Sequence, residues 1–301
     1  MTRRSLAERL VLAVPFAWMA LLFLAPLAIV VKISLSRSVI AMPPYEPAFD
    51  LSLGWADALD KLGQFSFAAY ESLFDDNLYV DSYLSSLRLA GVATLATLLM
   101  AYPMAYAMAR APAAWRPALV VLAVAPFWTS FLIRVYAWIA ILKDEGLLNH
   151  ALMALGLIDE PLNIFGTDWA VLIGIVYSYL PFMILPLYNS IAAQDPALRE
   201  AAGDLGAGPM AAFWRVTLPL SRGGIVAGCL LVFIPAVGEF VIPDLLGGSD
   251  TLMIGRTMWT EFFDNRDWPT ASAATIVLLA LLLIPLALYD RARVAGVERA
   301  S

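Results

Sequence analysis

The apolar positions of this chain are gathered into six long blocks. Uncharged windows run over 10–31, 89–109, 117–133, 169–193, 223–238 and 269–289. A helix crosses a hydrocarbon core about 30 Å thick with about 20 apolar residues. The third and fifth windows are short, but each continues as apolar helix past a single charge, Arg134 and Glu239. The pattern predicts an all-α, polytopic membrane protein of about six transmembrane helices, near 10–33, 82–109, 117–142, 169–193, 223–246 and 269–290, forming one domain over 1–301. Prolines punctuate the spans, among them Pro103, Pro126, Pro181, Pro186, Pro235 and Pro243. Inside lipid such breaks are tolerated where neighbouring groups recapture the freed backbone, so kinked helices around a cavity are expected.

Composition agrees. Of the 301 residues 61% are hydrophobic, and the mean hydropathy is +0.77, against about 45–50% apolar residues in soluble globular domains. Charge then sets the orientation, because Lys and Arg concentrate on the cytoplasmic side. With the N-terminus inside, the inner segments collect 11 of the 19 basic residues, Arg3, Arg4 and Arg299 among them, and 6 of the 25 acidic ones. Both termini are thus expected in the cytoplasm. The net charge of −6 becomes an acidity of the outer face, which either enriches cations near an entrance or simply solubilises loops. Basic residues precede the first block and no A-x-A cleavage site follows it, the pattern of a retained signal anchor. Cys229 is alone in the fifth span and has no internal partner.

Between the fourth and fifth blocks lies a polar segment with its own punctuation. Asp195-Pro196 pairs a capping side chain with proline at the first helical position. Leu198, Ala201, Ala202 and Leu205 follow at i, i+3, i+4 and i+7 and form one apolar face. Gly206 suits a left-handed C-terminal position, and Gly208-Pro209 prevents continuation. The expected product is about three turns of helix, with a docking face made mostly of methyl groups and Glu200 beside it. In the outer segment 143–168, residues 147–155 read as an amphipathic helix ending at Gly156.

Glu200-Ala201-Ala202-Gly203-Asp204-Leu205-Gly206, followed after nine residues by Val216-Thr217-Leu218-Pro219, resembles the E-A-A-x3-G-x9-I-x-L-P pattern of permease subunits of ABC-type importers. Val216 stands where the pattern has Ile. Two further stretches are similar to the PotB-like branch, the permeases of spermidine/putrescine importers. One runs from Pro126-Phe127-Trp128 to Trp138 and on to Gly146-Leu147-Leu148-Asn149. The other runs from Gly238-Glu239-Phe240 to Gly248 and on to Met253-Ile254-Gly255 and Arg266-Asp267-Trp268-Pro269. The resemblance covers 89–289. It implies the type I ABC importer permease fold in a bacterial inner membrane, with a coupling segment at 195–219. There Glu200, Ala201, Ala202, Leu205, Gly206, Leu218 and Pro219 would meet separate ATPase subunits, which bind the ATP and Mg; no cofactor is implied for this chain. The other implied partners are a second homologous permease, an extracytoplasmic substrate-binding protein and a small cationic solute, with no nucleic acid.

The residues themselves exclude several chemistries. A P-loop needs lysine after glycine, and the only lysines, Lys32, Lys61 and Lys143, do not follow one. One histidine, His150, and one cysteine leave no metal-ligand set and no Cys/His catalytic pair. The chain therefore reads as a non-catalytic subunit. Ammonium groups are recognised by carboxylates and by aromatic faces, and an ionisable residue inside a span is a functional candidate by default. Glu239 is that residue, with Asp244, Trp128, Tyr136 and Trp138 as further candidates along a substrate path. A competing reading has Glu239 and Arg134, at matching depth on two spans, neutralise each other while the tryptophans form an aromatic belt. Two other function classes are weaker. An ion-coupled transporter has no use for the 195–219 segment, and an intramembrane enzyme lacks a catalytic set.

Overall fold

The structure is a computed structural model that describes residues 6–48, 61 and 63–298. Arg3, Arg4, Arg299 and the stretch 49–60 of the outer segment lie outside the described residues. The described chain is helical almost throughout; its strands are Arg37–Ser38 and Tyr45–Glu46, an antiparallel pair. It divides into two compact units, one made of 1–80 with 257–301 and the other of 81–256. No linker composition marks this division, so the sequence reads as a single domain.

In the first unit the helix Leu6–Ser34 packs against the last helix, Trp268–Glu298. Most of its surface is still bare: Phe16 is 69% exposed and Trp18 64%. An apolar surface of that size is stable only in lipid or against another protein. The last helix starts at a built cap. Asp267 accepts from the Thr270 amide at 3.1 Å and from its hydroxyl at 2.9 Å, which satisfies donors that a helix start leaves open. Trp268 stacks on Phe262 with ring centroids 4.8 Å apart.

The second unit is organised around the helix Asp168–Ala192. Met183, Ile184, Leu187 and Ile191 from this helix meet Ala101, Ala105 and Met108 from the helix Asn77–Arg110 and Val232 from the helix Arg222–Val237. The last of these contacts is close because of two glycines four residues apart. A β-carbon at Gly224 would meet the Ser190 β-carbon and the Pro186 carbonyl inside 3 Å, and one at Gly228 would meet the Met183 sulfur. Small residues at this spacing let membrane helices approach backbone to backbone.

Two of the expected spans are broken. The helix Arg116–Val124 tightens to a 3₁₀ turn at Ala125–Trp128, and the chain is extended at Thr129 and Ser130 before Phe131–Leu142 begins. The two halves meet at 85°. Pro126 has no N–H to offer, and its own carbonyl is taken by the Thr129 hydroxyl at 2.8 Å. The fifth expected span ends at Val237, pauses at Gly238–Phe240 and resumes as the short helix Val241–Leu246. Glu239 therefore lies in a helix break rather than within one continuous helix.

Candidate functional site

The segment after Asp168–Ala192 folds much as its residues dictate. An Asp195 carboxylate oxygen accepts from the Ala197 amide at 3.0 Å, so Asp195 caps the helix Ala197–Asp204. At eight residues this helix is shorter than the three turns expected, and the chain turns left-handed at Gly206, φ +82°, as its residue type suggests. The Ala207 amide bonds to the Ala202 carbonyl at 2.9 Å and the Gly206 amide to the Gly203 carbonyl at 2.8 Å. Those two bonds are the Schellman closure of a helix.

Past Gly208, residues Pro209–Leu220 are helical with a π turn at Phe213–Thr217. The Gln194 amide group clamps the start of the segment to its end by donating to the Thr217 carbonyl at 3.0 Å. Phe213 lies edge-on to Tyr102 and Tyr106, each 5.6 Å away, and the Ser221 hydroxyl meets that of Tyr102 at 2.9 Å. The segment is thus anchored to the end of the helix Asn77–Arg110.

Its outer face remains apolar and open. Leu198 is 47% exposed, Leu205 89% and Met210 69%, and Glu200 and Ala201 are exposed beside them. Ala202, Leu205, Gly206, Ala211, Arg215 and Val216 line a groove of about 380 Å³. Leu218 and Pro219 are half-buried at the inner edge of the segment. The arrangement presents a shallow concavity of small side chains with Leu205 and Arg215 in its lining.

The second candidate site centres on Glu239, which is 8% exposed. Its Oε1 accepts from the Val241 amide at 3.1 Å and the Ile242 amide at 3.4 Å, capping the short helix that follows the break. Its Oε2 accepts from the Tyr179 hydroxyl at 2.5 Å. Gly255 backs the turn closely. A β-carbon there would run into the carbonyls of Gly238 and Glu239.

Arg134 is not Glu239's partner. The carboxylate has no ion pair among the described residues; the ion pairs of this unit's described residues are Arg88–Asp168 at 2.7 Å and Arg256–Asp244 at 3.3 Å. The Arg134 guanidinium lies over the rings of Phe127 and Phe131 at 5.3 and 5.8 Å, with Nε and Nη1 buried and without an acceptor. Matching depth along two helices says nothing about which way each side chain faces.

The other candidates are dispersed. Asp244 is exposed and engaged by Arg256, which also donates to the Gly248 carbonyl at 2.8 Å. Trp128 and Tyr136 are 75% and 56% exposed, and Trp138 meets Tyr177 edge-on at 5.4 Å. The aromatic side chain that touches Glu239 is Tyr179. Nothing in one dimension separates it from the other aromatic residues of its helix. The Gly224–Gly228 spacing, by contrast, is visible in the sequence.

A family model described as "Binding-protein-dependent transport system inner membrane component" matches residues 9–292. The spermidine/putrescine transport system permease protein PotB of Salmonella typhimurium is 46% identical over 217 residues, 72% of this chain and 76% of that protein. PotB of Escherichia coli is also 46% identical over 217 residues, covering 72% and 79%. The E. coli inner membrane ABC transporter permease protein YdcU is 34% identical over 242 residues, 76% of each chain. Among solved structures, a bacterial ABC transporter involved in the import of the acidic polysaccharide alginate superposes with a TM-score of 0.66 at 18% identity, covering 94% of both chains. At that identity the likeness speaks for the fold, which is that of an ABC importer permease.

Proposed function

The chain belongs to the family of binding-protein-dependent transport system inner membrane components, and from that premise we propose that it is the permease of an ATP-driven importer of polyamines such as putrescine and spermidine. Separate ATPase subunits, which bind the ATP and Mg, dock on the 195–219 segment. A second homologous permease completes the membrane pore, and an extracytoplasmic binding protein delivers the solute. Both termini and the coupling segment face the cytoplasm. When the ATPases close on ATP they push the segment, and its anchorage through Phe213 and Ser221 passes the movement to the helix Asn77–Arg110.

The observation that carries the solute class is the state of Glu239. Its oxygens are hydrogen-bonded, yet every donor is neutral. No positive partner among the described residues answers this carboxylate, so an ammonium group is the complement the position lacks. The relatives named for spermidine/putrescine transport support the same class.

The test is uptake of labelled putrescine into proteoliposomes holding the assembled transporter and its binding protein. We expect uptake that requires ATP, and a loss of roughly 10- to 100-fold in Glu239→Gln, since a hydrogen bond to a charged group is worth about 1.5–3 kcal/mol. Adding Arg134→Gln should not restore it. Uptake independent of ATP, or wild-type uptake in Glu239→Gln, would sink the proposal.

A further inference from the structure

We propose that Tyr179 is a positioning residue for the solute site, a placeholder that occupies Glu239 Oε2 while no solute is bound and yields it to an arriving ammonium group. The inference rests on the reading of Glu239 as the solute's carboxylate.

The two oxygens of Glu239 are held differently. Oε1 is fixed by the Val241 and Ile242 amides, donors that belong to the backbone of a helix start and cannot move apart from it. Oε2 is held by the Tyr179 hydroxyl at 2.5 Å, from a side chain on a separate helix, Asp168–Ala192, that swings about its own torsions. If one donor is displaced, it is this one.

The chemistry explains why a phenol suits the position. A buried carboxylate without donors is costly, so the empty site needs a hydrogen bond. A lysine or arginine in its place would supply one and also cancel the charge, leaving nothing for a cationic solute. A hydroxyl donor fills the lone pair and leaves the charge intact. Tyr179 is backed by Phe182, centroids 6.0 Å apart. Faces of this kind attract an ammonium group and tolerate its methylene chain.

The test compares the assembled transporter in nanodiscs as wild type, Tyr179→Phe and Glu239→Gln. Labelled putrescine is the probe, and equilibrium binding is measured without the binding protein, alongside maximal uptake in its presence. Tyr179→Phe keeps the ring and removes the competitor. Putrescine should bind more tightly, by roughly three- to tenfold for one hydrogen bond no longer displaced, and maximal uptake should fall because release leaves the carboxylate bare. Glu239→Gln should bind putrescine weakly. A purely structural role for Tyr179 would instead lower the amount of assembled complex and leave affinity alone.

Unchanged or weaker binding in Tyr179→Phe, with binding lost in Glu239→Gln, overturns the placeholder and leaves the solute reading standing. Wild-type binding in Glu239→Gln overturns the solute reading itself. Should Tyr179→Phe fail to assemble, the putrescine-induced infrared difference spectrum of the wild type decides. A tyrosine band should shift as its hydroxyl leaves the carboxylate, and no such shift on putrescine binding refutes the proposal.

Discussion

Three glycines in the coupling segment give one substitution three predicted outcomes. Gly206 has φ +82°, and a β-carbon there would meet nothing within 4 Å. Alanine at this position costs only backbone energy, about 1–2 kcal/mol for an L-residue in the left-handed region. Gly203 lies inside the helix Ala197–Asp204 with equally open space, and alanine there should stabilise the helix by about 1 kcal/mol. Gly208 is extended, with φ −65° and ψ 165°, and also open, so alanine should be close to neutral. One or two kcal/mol is a factor of roughly 5–30 in a local opening equilibrium.

Hydrogen exchange of the assembled transporter, read on peptides covering 197–207, follows this directly. Protection should fall roughly 5- to 30-fold in Gly206→Ala, rise about fivefold in Gly203→Ala and stay put in Gly208→Ala. ATPase capture by the detergent-solubilised permease should weaken in Gly206→Ala, because the docking face is then less often formed. Equal protection in all three variants would refute the cap argument. Lost protection in Gly206→Ala with full ATPase capture and uptake would separate the cap from coupling and defeat the docking role.

Orientation and packing make two further predictions. In a Cys229→Ala background, a cysteine at Asp264 should react with an impermeant maleimide on intact cells and one at Asp204 only after lysis; labelling of both from outside would reverse the orientation. In the helix Arg222–Val237, Gly224→Val drives side-chain atoms into the Pro186 carbonyl and Ser190, so its melting transition should show about 1–3 kcal/mol of destabilisation. Gly223→Ala, where a β-carbon meets nothing within 4 Å, should melt no lower than the wild type, and a Gly224→Val that matches the wild type would remove the close-approach argument.

Features that depend on local chemistry were legible in the sequence. The apolar blocks lie on helices, Asp195 caps as its type suggests, and Gly156 and Gly206 both adopt positive φ, at 66° and 82°. A left-handed turn is decided by the chirality of one residue, so it can be read from that residue. The breaks at Ala125–Ser130 and Gly238–Phe240 were marked less plainly, since a proline in a span is compatible with a kink, a 3₁₀ turn or a straight helix held by its neighbours. What failed was azimuth. A rise of about 1.5 Å per residue brings Glu239 and Arg134 to the same depth, but the direction each side chain takes depends on the breaks that precede them. The same ignorance hid Tyr179.

Hydrogen bonding and charge have to be accounted for separately at these two residues. Glu239 has its lone pairs answered by one hydroxyl and two amides and its charge answered by nothing in the described chain. Arg134 is the converse. Two aromatic faces at 5.3 and 5.8 Å offer its charge partial relief, while two of its nitrogens lack acceptors. Had the pair formed, each would have supplied what the other lacks, and removing both charges together would cost little. Because each is supported by different neighbours, their removals should act independently. Glu239→Gln should affect transport through the missing charge. Arg134→Gln should affect it through the packing over Phe127 and Phe131, and the double variant should show the sum of the two in free energy, as expected for sites that share no partner. A double variant that transports better than Glu239→Gln alone would show that the two charges do meet in a state the transporter visits during its cycle.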